Sequence, residues 1–540
     1  MEKRALIAVV LSLLILILYQ EWMTRQYGTS PPPVQESQQA EKTAEKVAPA
    51  APKPQPKVEV AKAPIPAKPQ SVKEVRVETD HYVAIFTSRG ARLKSFKFKQ
   101  YRTAADQKSP PFDLVSSNTA IPLPLGLQLS GAKTLTDEGL VYAIEGADLR
   151  LSGDGQGTLR FQAQTPRRTA VRKEFTFTGS SYAIRMTVSA QGGDATGAPE
   201  VLLTSQVPAN GPHQDAPFEG FLAQVGGKTV REHGEALAKG VELSGAVSWA
   251  GFGHTYFLFA VLPEGGKEQK VAVTQTGPAV TMKIGAQAQG SGETSAVHTL
   301  FIGPKQLDTL KSINRGLEHA IDFGYFGFVS IPLLYALHFS HQFTSSYGID
   351  IILLTILIKL LTAPLTHKSF ASMKQMQKLQ PQMERLKEKF KDEKEKLNKE
   401  IMELYRRNKV NPFGGCLPML LQFPVFIGLY NALQTPIELR HAPFLWIADL
   451  SRPDWEALPF TLSGWSLGIP ILTLLMGASM FVQQWMTPSA GDPNQRRMML
   501  MMPLIFTFMF INFPSGLTIY WLVNNILTIA QQYLISRKES

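Results

Sequence analysis

Residues 349–366 form an apolar run that carries a lysine, Lys359, near its middle. A run of this length can cross a membrane as a helix. A charge at that depth costs about 2.5–3.5 kcal/mol on insertion scales, so an intramembrane lysine pairs with a carboxylate, loses its proton or faces water. The later apolar segments, 417–435, 467–486 and 498–535, contain no Asp or Glu. The sequence therefore predicts a water-filled cavity with Lys359 on its wall; the alternative is a neutral lysine bonded to hydroxyls and amides between helices.

Hydropathy is segregated along the 540 residues. After a short basic start, residues 5–19 are apolar except for one serine, and no small-residue cleavage site follows. Residues 1–23 therefore predict an uncleaved transmembrane anchor with its first residues in the cytoplasm. Residues 24–70 are Pro-rich and predict an extended or disordered tether. The only cysteine, Cys416, opens an apolar segment, which excludes intrachain disulfides and cysteine-based metal sites.

Residues 71–310 change to a pattern of alternating apolar and polar residues, broken by Gly, Asp and Asn clusters. Such alternation is typical of strands with one buried face, so we expect a large antiparallel β-sandwich outside the membrane. We find no nucleotide-binding loop and no metal-ligand cluster in it. The scattered histidines His213, His254 and His298 are assigned no role. The clearest alternating runs are 75–77, 83–85, 93–98, 149–151, 175–177, 184–188 and 297–301.

The distribution of basic residues predicts the membrane topology. Residues 368–409 carry thirteen Lys and Arg against seven Asp and Glu, which indicates a cytoplasmic loop. Because the β domain lies outside, a single crossing, 347–367, connects the two. Residues 311–346 are then interpreted as one or two amphipathic helices at the outer interface. Residues 413–540 predict four further transmembrane helices, which gives six spans and cytoplasmic termini.

The cytoplasmic region 368–412 predicts a helical hairpin, because apolar residues recur every three or four positions on both sides of a charged turn at 391–396. The hairpin could be a solvated element with many surface charges. It could also be a docking arm for an anionic partner such as ribosomal RNA or a targeting factor, and the two interpretations are compatible. The candidate docking residues are Lys374, Lys378, Arg385, Lys387, Arg406 and Arg407.

A series of short motifs resembles the YidC family of membrane protein insertases. The resemblance covers nearly the whole chain and is strongest over 321–535. It implies a five-helix insertase core in the bacterial inner membrane, beside a periplasmic β-supersandwich similar to sugar mutarotases. It also implies newly made membrane proteins as substrates, and the Sec translocon, ribosome, signal-recognition targeting factors and membrane lipid as partners. The motifs include Tyr347–Ile349, Leu379–Pro381, Asn411–Pro418, Gln422–Pro424, Glu438–Arg440, Phe513–Leu517 and Asn524–Asn525.

Lys359 departs from the pattern of the family, whose members typically carry arginine there. Lysine keeps the charge but offers a compact ammonium in place of a planar, bidentate guanidinium. It can also lose its proton when desolvated, which arginine effectively cannot. Lys359 therefore argues against a mechanism that requires a permanent charge or bidentate contact.

The residues and the resemblance predict the same mechanism. A hydrophilic groove, open to cytoplasm and lipid, would lower the cost of moving a short polar segment partway across the membrane. No nucleotide motif is present, so no ATP is implied. We also expect no catalytic residue, metal or cofactor. The candidate groove residues are Thr355, Lys359, Thr362, Gln422, Gln434, Gln483, Gln484, Thr518, Tyr520, Trp521, Asn524 and Asn525.

Two other classes of function stay open at this point. A secondary transporter or channel would use intramembrane charges and inverted repeats, but the spans carry one central charge and no evident repeat. A membrane-tethered carbohydrate-active protein would place paired carboxylates in the β domain, and the sequence identifies no such pair.

Overall fold

The computed structural model describes residues 71–538, apart from gaps at 107, 116–120, 130–133, 193–198, 207–218, 267, 287–293, 392, 409, 411–416, 435–436, 458, 463–464 and 488–492. The predicted anchor 1–23, the tether 24–70 and His213 therefore lie outside the described residues. Within them, strands fill the first half of the chain and helices dominate the second.

The described residues of the β domain form three sheets. Their strand pairs are antiparallel except for the parallel pair between 77–78 and 149–150. The five-stranded sheet has the order β4 (Pro111–Asp113), β3 (Arg92–Arg102), β2 (Tyr82–Thr87), β1 (Glu74–Glu78), β8 (Leu149–Arg150). The nine-stranded sheet has the order β14 (Lys228–Glu232), β13 (Gly220–Val225), β16 (Val247–Gly253), β17 (Phe257–Pro263), β20 (Thr294–Pro304), β11 (Ala183–Gln191), β10 (Ala170–Thr178), β9 (Gln156–Gln164), β7 (Ala143–Glu145). The six-stranded sheet has the order β15 (Val241–Gly245), β18 (Gln269–Thr276), β19 (Ala279–Ala286), β12 (Glu200–Gln206), β5 (Gly126–Leu129), β6 (Leu135–Thr136).

Apolar and polar residues that alternate in the sequence point to opposite faces of their strand, one buried and one partly exposed. This confirms the prediction of an all-β domain. In β10 the side chains of Val171, Phe175 and Phe177 are buried, and those of residues 172, 174 and 176 are partly exposed. Lys173 occupies the fourth buried position of the same face. The sandwich core is therefore apolar with a charge built into it.

The helices follow the β domain along the chain. A short α1 (Glu235–Lys239) interrupts the strands, and β21 (Pro459–Leu462) pairs with β22 (Trp465–Gly468) among the helices. The remaining helices are α2 (Leu307–Ser312), α3 (Gly327–Thr344), α4 (Tyr347–Lys378), α5 (Gln380–Lys389), α6 (Lys394–Arg407), α7 (Leu417–Gln434), α8 (Ile471–Met486), α9 (Pro493–Phe510) and α10 (Ser515–Lys538). Single turns of 3-10 helix occupy Leu317–Ala320, Ile437–Leu439 and Asp454–Ala457.

By length and composition, α4 is the one helix among the described residues that could cross a membrane; α8 and residues 499–510 of α9 form shorter apolar helices. The structure continues α4 without a break from the predicted span 347–367 into the predicted cytoplasmic region. Hydropathy changes near residue 367, whereas the helix ends only at Lys378. The number of spans stays a prediction.

The region predicted to lie at the interface, 311–346, contains α3. Its Ser330, Leu334 and Leu337 are buried where the helix packs against α4 and α7. Its other side exposes a row of aromatic rings, at Phe328, Tyr335, Phe339 and Phe343. A helix with one protein-facing side and one exposed aromatic side suits the boundary between protein and lipid.

One hydrophobic core cluster runs from the β domain into the helical half. It passes through Leu310 and Leu317 to Leu334 of α3 and to Ile437. Residues 437–457, which we call the cap segment, follow α7 and lie at the beginnings of α4, α8 and α10. The cap segment therefore lies between the β domain and the helices.

Candidate functional site

A cavity of about 710 Å³ lies among five helices, and each of them contributes to its wall. These are α4, α7, α8, α9 and α10, which correspond to the five helices predicted for the core. Direct packing joins α10 to α4 and α8, and α8 to α9. Helices that begin as far apart along the chain as residues 347 and 515 thus converge on one space.

Lys359 lies on this wall, and its ammonium contacts α10. Nζ donates a hydrogen bond to Oγ1 of Thr528 at 2.6 Å and contacts Oδ1 of Asn524 at 3.4 Å. Asn524 and Thr528 are one helical turn apart, so both oxygens face the same way. Neither contact is a carboxylate. The structure therefore places Lys359 on the wall of the cavity and bonds its ammonium to a hydroxyl and an amide.

Thr528 is a site residue that sequence reasoning missed. Its hydroxyl accepts the bond from Lys359 and donates to the carbonyl oxygen of Asn524 at 2.6 Å. The available signal was its position four residues after Asn524, which places both on one face of a helix. A threonine is common enough in apolar helices for this spacing to go unnoticed.

Other polar side chains around the cavity join helices to one another. Gln422 of α7 donates to the hydroxyl of Tyr520 of α10. Asn525 of α10 donates to Oγ of Ser479 of α8 at 3.0 Å. Such bonds between membrane helices average about 0.6 kcal/mol. These amides therefore hold the bundle together in addition to giving the cavity a polar side.

The structure brings most of the predicted groove residues together. Four predicted residues lie outside the lining. Thr355 is buried and donates to the carbonyl oxygen of Ile351 at 2.6 Å, and Thr518 donates to that of Pro514. Tyr520 is buried and its hydroxyl accepts the bond from Gln422, and Gln434 is the last residue of α7. The predicted residues that line the cavity are Lys359, Thr362, Gln422, Gln483, Gln484, Trp521, Asn524 and Asn525.

The apolar part of the cavity wall is rich in methionine and phenylalanine. Phe423 of α7 and Met509 of α9 line the cavity and are also exposed, so the cavity reaches the surface of the molecule there. Flexible thioethers adapt to apolar surfaces of varied shape. The apolar lining includes Met373, Met480, Met499, Met502, Met509, Phe423, Phe426, Phe506 and Phe510.

The predicted hairpin is formed by α5 and α6. These helices pack through a cluster that includes Met383 and Tyr405, whose hydroxyl lies 3.0 Å from the Met383 sulfur. Of the six candidate docking residues, Lys378, Arg385, Arg406 and Arg407 are exposed, and Arg407 also pairs with Glu403 at 2.6 Å. Lys374 and Lys387 are partly exposed. Two packed helices thus present basic side chains to solvent.

No group of three or more His, Cys, Asp or Glu is placed to hold a metal ion in the part of the chain that the structure describes. Of the histidines that the sequence analysis named without a role, His254 and His298 lie among the described residues. Burial lowers the pKa of each to about 4. They are neutral at physiological pH, as is usual for histidines in a core.

Comparison with known proteins relates both halves of the chain to one family. Residues 74–336 match the family model described as YidC periplasmic domain, and residues 339–540 match the one described as 60Kd inner membrane protein. A membrane protein insertase YidC from Pelobacter propionicus is 39% identical over 566 residues, covering 99% of each chain. One from Geobacter sp. (strain M21) is 42% identical over 483 residues, covering 86% of each.

Among solved structures, the chain is similar to an active YidC insertase crystal structure with the first transmembrane domain resolved. The match covers 87% of this chain and 94% of that one, at 19% identity and a TM-score of 0.38. Relatedness rests on the full-length identity of about 40% rather than on this superposition. The chain belongs to the YidC family of membrane protein insertases.

Proposed function

We propose that this protein inserts other membrane proteins into the bacterial inner membrane through the cavity between its five core helices. The observation that carries the proposal is the division of the cavity wall. Lys359 and the amides of α10 give the wall polar groups. Methionines and phenylalanines of α7 and α9 give it apolar groups. A polar tail and the hydrophobic helix next to it would thus each meet a matching surface.

Six spans with both termini in the cytoplasm are the topology we propose, with the β domain in the periplasm. Support comes from α4, whose first turn lies beside the cap segment and whose last turn leads into the basic hairpin. At 1.5 Å per residue its 32 residues extend about 48 Å. That length exceeds a hydrocarbon core of about 30 Å, so α4 would continue into the cytoplasm.

Lys359 would attract acidic residues of the translocated tail, with Asn524 and Thr528 holding its ammonium in the cavity. The substrate's hydrophobic helix would then leave past Phe423 and Met509 into lipid, and the burial of its apolar surface would drive the step. No residue needs to make or break a covalent bond. The protein would therefore act as an insertase and chaperone rather than as an enzyme.

The hairpin would dock partners with anionic surfaces. The exposed arginines and lysines of α5 and α6 support this role, since clustered basic side chains attract phosphate-rich surfaces. The ribosome, targeting factors and the Sec translocon are the partners that we propose for this chain. The strength of docking should fall with rising salt.

Reconstitution tests the proposed function. Purified protein in liposomes should convert a small membrane protein with a short translocated tail into a protease-protected, membrane-spanning form. Liposomes without the protein give the background rate, and liposomes with heat-denatured protein control for nonspecific adsorption. Protection no greater than in these controls, for several such substrates, would contradict the proposal.

A further inference from the structure

Arg440 reaches from the cap segment into the β domain. Its guanidinium donates a hydrogen bond to the carbonyl oxygen of Arg102 at the end of β3, at 2.7 Å. The same group lies over two aromatic rings of the β domain, 5.4 Å from the ring centre of Phe112 and 5.7 Å from that of Tyr256. One side chain of the helical half therefore contacts three separate segments of the β domain.

This contact uses the properties that distinguish arginine from lysine. A planar guanidinium can stack on aromatic rings while its edge donates hydrogen bonds, which a compact ammonium does less well. Arg440 is only partly exposed, and burial lowers the pKa of its guanidinium from the usual value. A cation that is partly desolvated over aromatic rings makes a stronger contact than the same pair in water.

The cap segment in turn holds the beginnings of α8 and α4. The buried carboxylate of Asp454 accepts hydrogen bonds from the backbone N–H of Leu472 at 2.8 Å and from the hydroxyl of Thr473 at 2.6 Å. A carboxylate at the start of a helix accepts hydrogen bonds from its free N–H groups and interacts favourably with the positive end of the helix dipole. Phe444 packs so closely on Gly348 in the first turn of α4 that an added Cβ would lie 2.1 Å from its ring.

The cap segment also holds the beginning of α10. The carbonyl oxygen of Leu450 accepts a hydrogen bond from the N–H of Gly516 at 3.0 Å, and that of Arg452 accepts from Ser515. Helices α4, α8 and α10 carry Lys359 and most of its polar neighbours. A continuous set of contacts therefore leads from the β domain through Arg440 and the cap segment to the walls of the cavity.

We propose that Arg440 is a positioning residue through which the β domain holds the cap segment, and with it the starts of α4, α8 and α10, during insertion. Arg440 does not contact the cavity and acts only through this set of bonds. The inference rests on the proposed function in one respect, since insertion is one of its two readouts. The other readout, docking of the β domain, is independent of it.

The test uses the full-length protein in membrane vesicles, with Cys416→Ser as background. Ala105 and Ala448 line one cavity of about 190 Å³ between the β domain and the cap segment. Cysteines at these two positions, joined by a short bis-maleimide, report docking, and insertion of a small substrate is measured in parallel.

Arg440→Met should lower both crosslinking and insertion by roughly threefold or more, the factor expected from one cation–π contact. Arg440→Lys should fall between Arg440→Met and the unaltered protein.

A second background separates positioning by the β domain from a defect local to the cap segment. Arg440→Met should have a clearly smaller effect when Phe112→Leu has already removed one of its rings, because coupled residues are not additive. Tyr256→Leu serves the same purpose if Phe112→Leu does not accumulate. Arg150→Met, an exposed arginine elsewhere in the β domain, is the matched control and should change neither readout.

Unchanged crosslinking in Arg440→Met would overturn the proposal. So would a loss of insertion that is equally large in the Phe112→Leu and Tyr256→Leu backgrounds, since Arg440 would then act within the cap segment alone. If the unaltered protein itself fails to insert the substrate, the proposed function is wrong, and the crosslinking result still decides whether Arg440 docks the β domain.

Discussion

At the scale of single residues, the core of the β domain contains a buried cluster of charged side chains, which the alternation of apolar and polar residues did not predict. Lys173 lies on the buried face of β10, and its ammonium pairs with the carboxylate of Asp137 at 2.6 Å. Arg92 reaches the other oxygen of Asp137 at 3.4 Å, and Tyr142 donates to the same carboxylate. Burial lowers the pKa of Lys173 to about 8, against the opposing effect of Asp137. Two buried cations thus depend on one carboxylate.

Asp137→Asn should strongly destabilise the β domain. The change leaves Lys173 and Arg92 buried without a counter-charge, which typically costs about 3–5 kcal/mol. Lys173→Met should cost less, because Arg92 and Asp137 remain paired. The free energy of unfolding, from urea titration of the full-length protein with protease resistance of the β domain as the signal, measures both. Asp154→Asn, an exposed aspartate, is the control, and an equal effect of Asp137→Asn and Asp154→Asn would contradict the assignment.

Because His298 is buried and neutral, we expect the β domain to lose stability in acid. Burial lowers its pKa to about 4, with only partial opposition from Glu264, and neither ring nitrogen has a partner among the described residues. Because the unfolded pKa is about 6.5, only the unfolded chain binds a proton between pH 6.5 and 4. Stability contributed by neutral His298 is therefore lost as pH falls through this window, by at most roughly 3 kcal/mol.

His298→Phe should flatten this acid loss, since the ring remains but cannot be protonated. The measurement is the free energy of unfolding of the β domain at pH 7 and pH 4.5 for both proteins. His254, whose pKa is also lowered to about 4, should leave a residual pH dependence. His319→Gln, at an exposed position, should behave like the unaltered protein. An unchanged pH dependence in His298→Phe would show that other groups control acid stability.

At the scale of elements, a change in hydropathy along the sequence does not mark where a helix ends. In α4 the change from apolar to basic residues occurs near 367, but charged residues are good helix formers, so the helix continues to Lys378. The break comes where Pro381 follows, inside the first turn of α5, a position that proline favours. Hydropathy marks the environment of a helix, and capping and proline mark its ends.

The packing of α5 against α6 can be tested by a crosslink between the two helices. Met383 of α5 and Ile401 of α6 belong to one apolar cluster, so cysteines at these positions should crosslink readily in the full-length protein with Cys416→Ser. Cysteines at Arg385 and Met402, which are exposed, form the control pair and should crosslink much less. Amide exchange throughout both helices at the rate of an unstructured chain would rule out the packed hairpin.

At the scale of the whole molecule, the sequence predicts the parts and the structure supplies their connections. Period-two alternation located the strands, because that signal is local. The charge of Lys359 in an apolar run is a local signal too, and it led to the prediction of a cavity. Thr528, the Asp137 cluster and the cap segment join residues far apart in the chain, and no local pattern reports such pairing. Arg440 was identified only as part of a motif, since its role depends on rings more than 180 positions away.

The central claim is that a positive charge in a wet cavity captures the translocated part of a substrate. The most direct measurement compares two substrates that differ only in the acidic residues of the translocated tail, each inserted by the unaltered protein, Lys359→Arg and Lys359→Leu. Lys359→Arg should insert both. Lys359→Leu should lose roughly tenfold or more on the acidic tail, since one close ion pair at an effective dielectric constant of about 20 is worth several kcal/mol before desolvation. It should lose far less on the neutral tail, whereas insertion of both tails at the unaltered rate would contradict the account.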